Sequence, residues 1–232
     1  MPDRLSPRCL GRGGGQSRRL STGHRRHETG RGDGSNHGRF CIKDGTLAEA
    51  KFPLFVTSNR QKIVEASEIL GFSVAQIDLP LPEIQAVVLE PVVRHKLVEA
   101  YRQIRQPVIV EDTGLFIEAW GGLPGALVDW FLQKLGNEGI CRLLQAENNR
   151  QARAQSAIGF YNGQILTIAI GEVRGEIAPS PRGEHGFGWD PLFIPEGESR
   201  TFGEMSSMEK HRFSMRRQAL EKLHTFLQGV VI

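Results

Sequence analysis

Glu111-Asp112-Thr113-Gly114 sets two adjacent carboxylates and a hydroxyl directly after the apolar run Pro107 to Val110. That run reads as a buried strand, which places the acids at its carboxyl end, where open α/β sheets keep their ligand crevice. Successive strand residues point to opposite faces, so Glu111 and Asp112 should differ in role. One can hold Mg²⁺ or polarise a water, while the other orients a neighbour or pairs with a lysine. A pair of acids capping a turn would give the same letters. Glu83, in the segment LPLPE, is a loop carboxylate that could complete a metal site if the fold brings it near.

Three further segments carry chemistry of other kinds. Thr57-Ser58-Asn59 followed by Arg60, Gln61 and Lys62 lies between a short apolar strand and an amphipathic run. Free N–H groups and the positive dipole end of a helix start bind phosphate, and Lys62 adds a charge; a capped helix with a solvated lysine is the plainer reading. The Walker pattern GxxxxGK[ST] is absent. Gly186-Phe187-Gly188-Trp189-Asp190-Pro191 is an irregular, glycine-spaced segment with two aromatics that could stack on a purine and an acid that could accept from ring N–H groups, or else two core aromatics beside a turn. Lys210, Arg212 and Arg216 crowd a helix start, where positive charge is unfavourable unless an anion or acceptor lies opposite. Lys96 stands one step off an apolar stripe and either snorkels to water or reaches into a crevice.

These groups need elements to hold them. Leu54 to Val56 predicts a short buried strand, with Asn59 as N-cap of a helix whose apolar face is Ile63, Ala66, Ile69 and Leu70 and whose end is Gly71. A helix near Pro91 carries Val93, Leu97, Ala100, Tyr101 and Ile104. After the Gly121 to Gly125 turn, helices are expected around Val128 to Leu135 and Ile140 to Leu144. Asn162-Gly163 between two strand-like runs signals a hairpin, and a last helix after Ser214 carries Leu220, Leu223, Phe226 and Leu227. Strands alternating with helices plus one antiparallel hairpin make an α/β domain with a mixed sheet.

Composition divides the 232 residues unevenly. The net charge of +3 separates into residues 1–39, with nine Arg against three acids, and a remainder with 20 basic and 23 acidic side chains. The segment 1–50 is rich in Gly, Arg and Ser and reads as a disordered arm; Arg and Gly contact with nucleic acid, a solvated tail or a start called too far upstream are its three readings. Residues 51–232 form the folded domain. Three separated cysteines, Cys9, Cys41 and Cys141, without CxxC spacing exclude a disulfide scaffold and a structural zinc site, and suit a reducing, cytoplasmic compartment. No apolar run approaches the roughly 18 to 20 residues of a membrane span.

In their fixed order, TSNRQK, LPE, VEDTGL, GGLPG, FGWDP and EK followed four residues later by S-x-R resemble the inosine triphosphate pyrophosphatase family, from about Leu54 to Leu227. The resemblance implies an elongated α/β fold of two lobes around a nucleotide cleft, a homodimer, and Mg²⁺-dependent hydrolysis of ITP, dITP and XTP to the monophosphate and pyrophosphate. By it, Thr57 to Lys62 hold the phosphates, Glu83 and Asp112 bind metal, Lys96 contacts phosphate, and Asp112 activates the attacking water with Thr113 beside it. Phe187, Gly188, Trp189 and Asp190 sandwich and read the base, Lys210 and Arg216 close over it, and Glu111 supports a lysine.

Two positions depart from the family. Ser214-Met215-Arg216 stands where members carry S-H-R, and methionine lacks the donor that helps read the 6-oxo group, so discrimination of ITP over ATP should be weaker. Some relatives place a basic residue where Asp129 stands. Two other functions fit parts of the chain: hydrolysis of modified pyrimidine nucleotides on the same fold, which FGWDP opposes, and an RNA-binding protein acting through the arm.

Overall fold

The structure is a computed structural model and describes residues 53–229; the expectations for the arm at residues 1–50 lie outside the described residues. Strand β1 (Leu54–Val56) leads into helix α1 (Arg60–Leu70). The helix starts where the Asn59 side chain accepts from the Gln61 N–H, and it ends at Gly71, whose φ of 75° is costly for any side chain. Strand β2 (Gln76–Ile77) and a loop containing Glu83 precede α2 (Leu89–Ile104), which buries Val93, Leu97 and Ala100 as their spacing predicts. Strand β3 (Val108–Ile117) is ten residues long. After it come β4 (Pro124–Gly125), α3 (Val128–Leu143), the hairpin strands β5 (Gln151–Tyr161) and β6 (Leu166–Ile177), β7 (Phe193–Pro195), the short α4 (Ser207–His211) and α5 (Met215–Gln228).

All seven strands join one mixed sheet in the order β2-β1-β3-β5-β6-β7, with β4 on β3. The β1 strand runs parallel to β2 and β3, and every other pairing is antiparallel. The two helices expected either side of Gly136 are the halves of α3, which that glycine breaks with φ 65° and ψ 177°. Phe226, expected on the apolar face of α5, is 36% exposed, so Leu220, Leu223 and Leu227 supply that contact.

The core has three parts, and the long strands run through all of them. Ile109, Ile158 and Phe160 pack beneath α1 and α5; Val108, Val110 and Ala157 pack beneath α2 on the opposite face. Farther along the same strands, Leu115, Ile117, Ala152 and Ala154 meet α3, Phe193 and Phe202. Between these regions β3 is bare on one edge. Val56 of β1 is opposite Val110, and β4 begins only opposite Leu115 and Phe116, so residues 111–114 have no strand neighbour on that side. On the other side β5 pairs the whole length of β3. The interrupted edge opens the sheet to a ligand.

Candidate active site

The gap falls on the EDTG segment, which corrects the expectation that Glu111 and Asp112 follow the end of a strand: they lie in the middle of β3. The sheet's alternation separates them as expected. Asp112 shares the α2 face with Val110 and Phe116, whereas Glu111 shares the α5 face with Ile109 and Leu115. Lys96 of α2 reaches inward: its Nζ is 2.6 Å from Glu83 Oε1 and 3.8 Å from Asp112 Oδ1. Burial pushes the Asp112 carboxyl above the ordinary aspartate range; Lys96 and Lys62 pull it back, while Glu83 and Glu111 push it up. Burial opposes the Lys96 charge too, but Asp112 and Glu83 outweigh it and hold the ammonium above the usual lysine range.

Glu111 is fully buried; its charge helps to hold the Lys96 ammonium, as expected of an acid that supports a lysine, while its hydrogen bonds go to other partners. Its Oε1 accepts from Arg216 Nε at 2.7 Å and from Ser156 Oγ at 2.8 Å. Arg216 also pairs through Nη1 with Glu65 of α1, and Lys210 Nζ lies 2.9 Å from Glu65 and 2.8 Å from Asp190. The acceptors opposite the misplaced positive charge are therefore the protein's own carboxylates. Burial opposes ionisation of Glu65, yet Arg216 and Lys210 prevail and hold it below the usual glutamate range. Glu65 was not singled out by the sequence; its one signal is an acid directly beside Ala66 on the buried face of α1.

Asp190 belongs to the same network. Its Oδ2 accepts the Phe187 N–H at 2.7 Å, so it anchors the glycine-spaced loop and Lys210. Burial raises this carboxyl, Lys210 opposing. Trp189 is 6% exposed and packs its ring on Phe193 and Phe202, so it joins the core while still lining the cavity, and Phe187 is the more exposed of the two aromatics. Lys210 and Arg216 lie over the Phe187 ring, 5.1 Å and 5.4 Å from its centre.

These residues line two adjoining cavities. One, of about 470 Å³, is walled by Thr113, Phe187 to Asp190, Lys210, Met215 and Arg216. The other, of about 980 Å³, takes Thr57, Ser58, Glu83, Lys96 and Glu111, together with Leu79 to Leu81 of the segment that leads to Glu83 and with Asp78, which no motif singled out. Asn59, Lys62, Asp112 and Asp129 line both. Arg60 and Gln61, at the exposed start of α1, line neither. Among the described residues no three His, Cys, Asp or Glu side chains are grouped to enclose a metal ion, but Glu83 and Asp112 converge on one Lys96 nitrogen and present only hard oxygen donors.

Residues 53–226 match the Ham1 family. The chain belongs to the Ham1 family. Among its relatives, the dITP/XTP pyrophosphatase of Methanopyrus kandleri is 46% identical over 174 residues, covering 73% of this chain and 92% of the relative. The inosine triphosphate pyrophosphatase of Schizosaccharomyces pombe is 40% identical over 180 residues, covering 76% and 95%. Two solved Ham1 structures share the fold: that of the Staphylococcus aureus protein (TM-score 0.67, 26% identity, 77% of this chain and 99% of the other) and that of the Coxiella burnetii protein (0.65, 28%, 77% and 100%). In this Ham1 chain the matched span holds every residue that lines the cleft.

Proposed function

We propose that the protein is a Mg²⁺-dependent pyrophosphatase that converts ITP, dITP and XTP to the monophosphate and pyrophosphate. That it is a nucleoside triphosphate pyrophosphatase rests on family membership and on the names of relatives matched over nearly their whole length. The observation that carries the substrate reading is the division of the cleft into an aromatic compartment and an anion-binding compartment that meet at Asp112 and Lys62.

The base fits the smaller compartment. Phe187 offers a ring face, and Lys210 and Arg216 bring N–H donors to the same cavity wall. Donors favour the oxo groups of hypoxanthine and xanthine over the 6-amino group of adenine. Phosphates fit the larger compartment, which Thr57, Ser58, Asn59, Lys62 and Lys96 line ahead of and within the first turn of α1. The substrate's α-phosphorus would then lie at the junction, beside Asp112.

Asp112 suits a general base. Burial holds its carboxyl above the ordinary aspartate range, which makes the carboxylate a better proton acceptor than an exposed one, and its side chain is 19% exposed, enough to hold a water. The water oxygen would attack the α-phosphorus in line, its proton passing to Asp112, with pyrophosphate leaving. Lys62 and Lys96 stabilise the charge that develops. Glu83 and Asp112 would hold Mg²⁺, which when bound would supply positive charge against the leaving pyrophosphate. The expected products are tested by offering ITP, XTP, dITP, ATP, GTP and modified pyrimidine triphosphates with Mg²⁺ and assaying pyrophosphate and orthophosphate separately. Pyrophosphate from the oxo-purines supports the reading, and orthophosphate as the first product refutes α-phosphorus attack.

A further inference from the structure

The loop Gly186–Gly188, which carries Phe187, is held by side chains from two sides. Asp190 takes the Phe187 N–H on one side, and on the other Asn137 Nδ2 donates to the Gly188 carbonyl at 3.0 Å. The backbone in between is permissive, with Gly186 at φ 75° and Gly188 at φ 63°, so nothing in its own conformational preference fixes the ring. Asn137 follows directly on the break in α3. The left-handed turn at Gly136 ends the first helical half and redirects the chain, and Leu132 from that first half also approaches Gly188, 3.7 Å from where a Cβ would stand.

A second observation separates this asparagine from a packing residue. Its Oδ1 is buried and has no hydrogen-bond partner. A buried acceptor left unpaired is a cost, and a site serving only packing would favour an apolar side chain there. The donor to Gly188 is the one polar contact that offsets it. Of the two terminal atoms of the side chain only the amide nitrogen can donate to a carbonyl, so an acid in the same shape would oppose the loop.

We infer that Asn137 is a positioning residue for base recognition: by tethering Gly188 it holds the Phe187 ring at the height at which a purine stacks. This rests on the assignment of the smaller cavity to the base. Asn137 lines neither cavity, so it acts through the loop.

The test compares wild type, Asn137→Asp, which keeps the shape and removes the donor, and Asn137→Gln, which keeps a donor on a longer arm. The readouts are KM and kcat for ITP, and the affinities of IMP and of imidodiphosphate by calorimetry. Loss of one such bond should raise KM and the IMP dissociation constant about fivefold in Asn137→Asp. The expected pattern keeps kcat within twofold and imidodiphosphate binding unchanged, with Asn137→Gln recovering part of the loss. Unchanged IMP affinity in a normally folded Asn137→Asp overturns the inference, as does an equal loss of imidodiphosphate binding. Wild type that binds IMP but does not cleave ITP sinks the proposed function and leaves the IMP comparison decisive for Asn137; wild type that binds no IMP overturns both.

Discussion

Asp112 combines two demands that oppose each other, and its substitution should show both. Asp112→Asn removes the proposed base, and kcat should fall by about 10² to 10⁴; activity within tenfold of wild type would remove the assigned role. A carboxyl raised on folding destabilises the native state above its folded pKa, so the same variant should melt no lower than wild type at pH 7, checked by calorimetry. Because the base must be ionised, kcat/KM should fall toward acid through an ionisation above the ordinary aspartate value of 3.8, and this acid limb should be missing from the residual activity of Asp112→Asn. At Met215, 2% exposed and against the base compartment, Met215→His should raise the ITP to ATP ratio of kcat/KM roughly fivefold by restoring a donor. An unchanged ratio would show that Arg216 alone sets discrimination.

At the scale of elements, α5 is bound to the sheet by charge and by close approach. Arg216 is almost wholly buried between Glu65 of α1 and Glu111 of β3, so α1, α5 and β3 are joined at one guanidinium. Glu65→Ala leaves that charge with one partner and should cost about 3 to 5 kcal/mol in urea unfolding, with loss of activity. Glu65→Gln, which keeps an acceptor, should cost less. Gly171 of β6 lies directly under α5: a Cβ there would stand 1.9 Å from the Met215 carbonyl oxygen. Gly171→Ala must therefore lift the start of the helix that carries Arg216, at a cost of about 1 to 3 kcal/mol, with a raised KM for ITP. A melting point equal to wild type would contradict that packing.

For the whole molecule, charge bears on substrate binding only locally. Twenty basic and 23 acidic residues follow position 39, yet on the proposed function the cleft would receive a polyanion through Lys62 and Lys96, where low-dielectric walls confine the field. Every group assigned to the reaction lies within residues 53–229, so a chain lacking residues 1–50 should retain kcat/KM for ITP within twofold; a large loss would give the arm a part in catalysis.

The sequence alone was enough to define α1 with its Asn59 and Gly71 ends, the interrupted α3, the hairpin and the alternating roles of Glu111 and Asp112. Each depends on local backbone preference or on a period of two or 3.6, which neighbouring residues encode. The motifs also named most of the cleft lining. Only the tertiary structure decided that EDTG lies at an unpaired edge between β1 and β4, since that depends on which distant strands stop where. It also packed the Trp189 ring against the core, gave the Glu111 hydrogen bond to Arg216, and brought in Glu65 and Asn137, whose partners are 145 and 151 residues away for Glu65 and 51 for Asn137. Pairings at such separations leave no periodic trace, because burial and charge balance between remote elements select them.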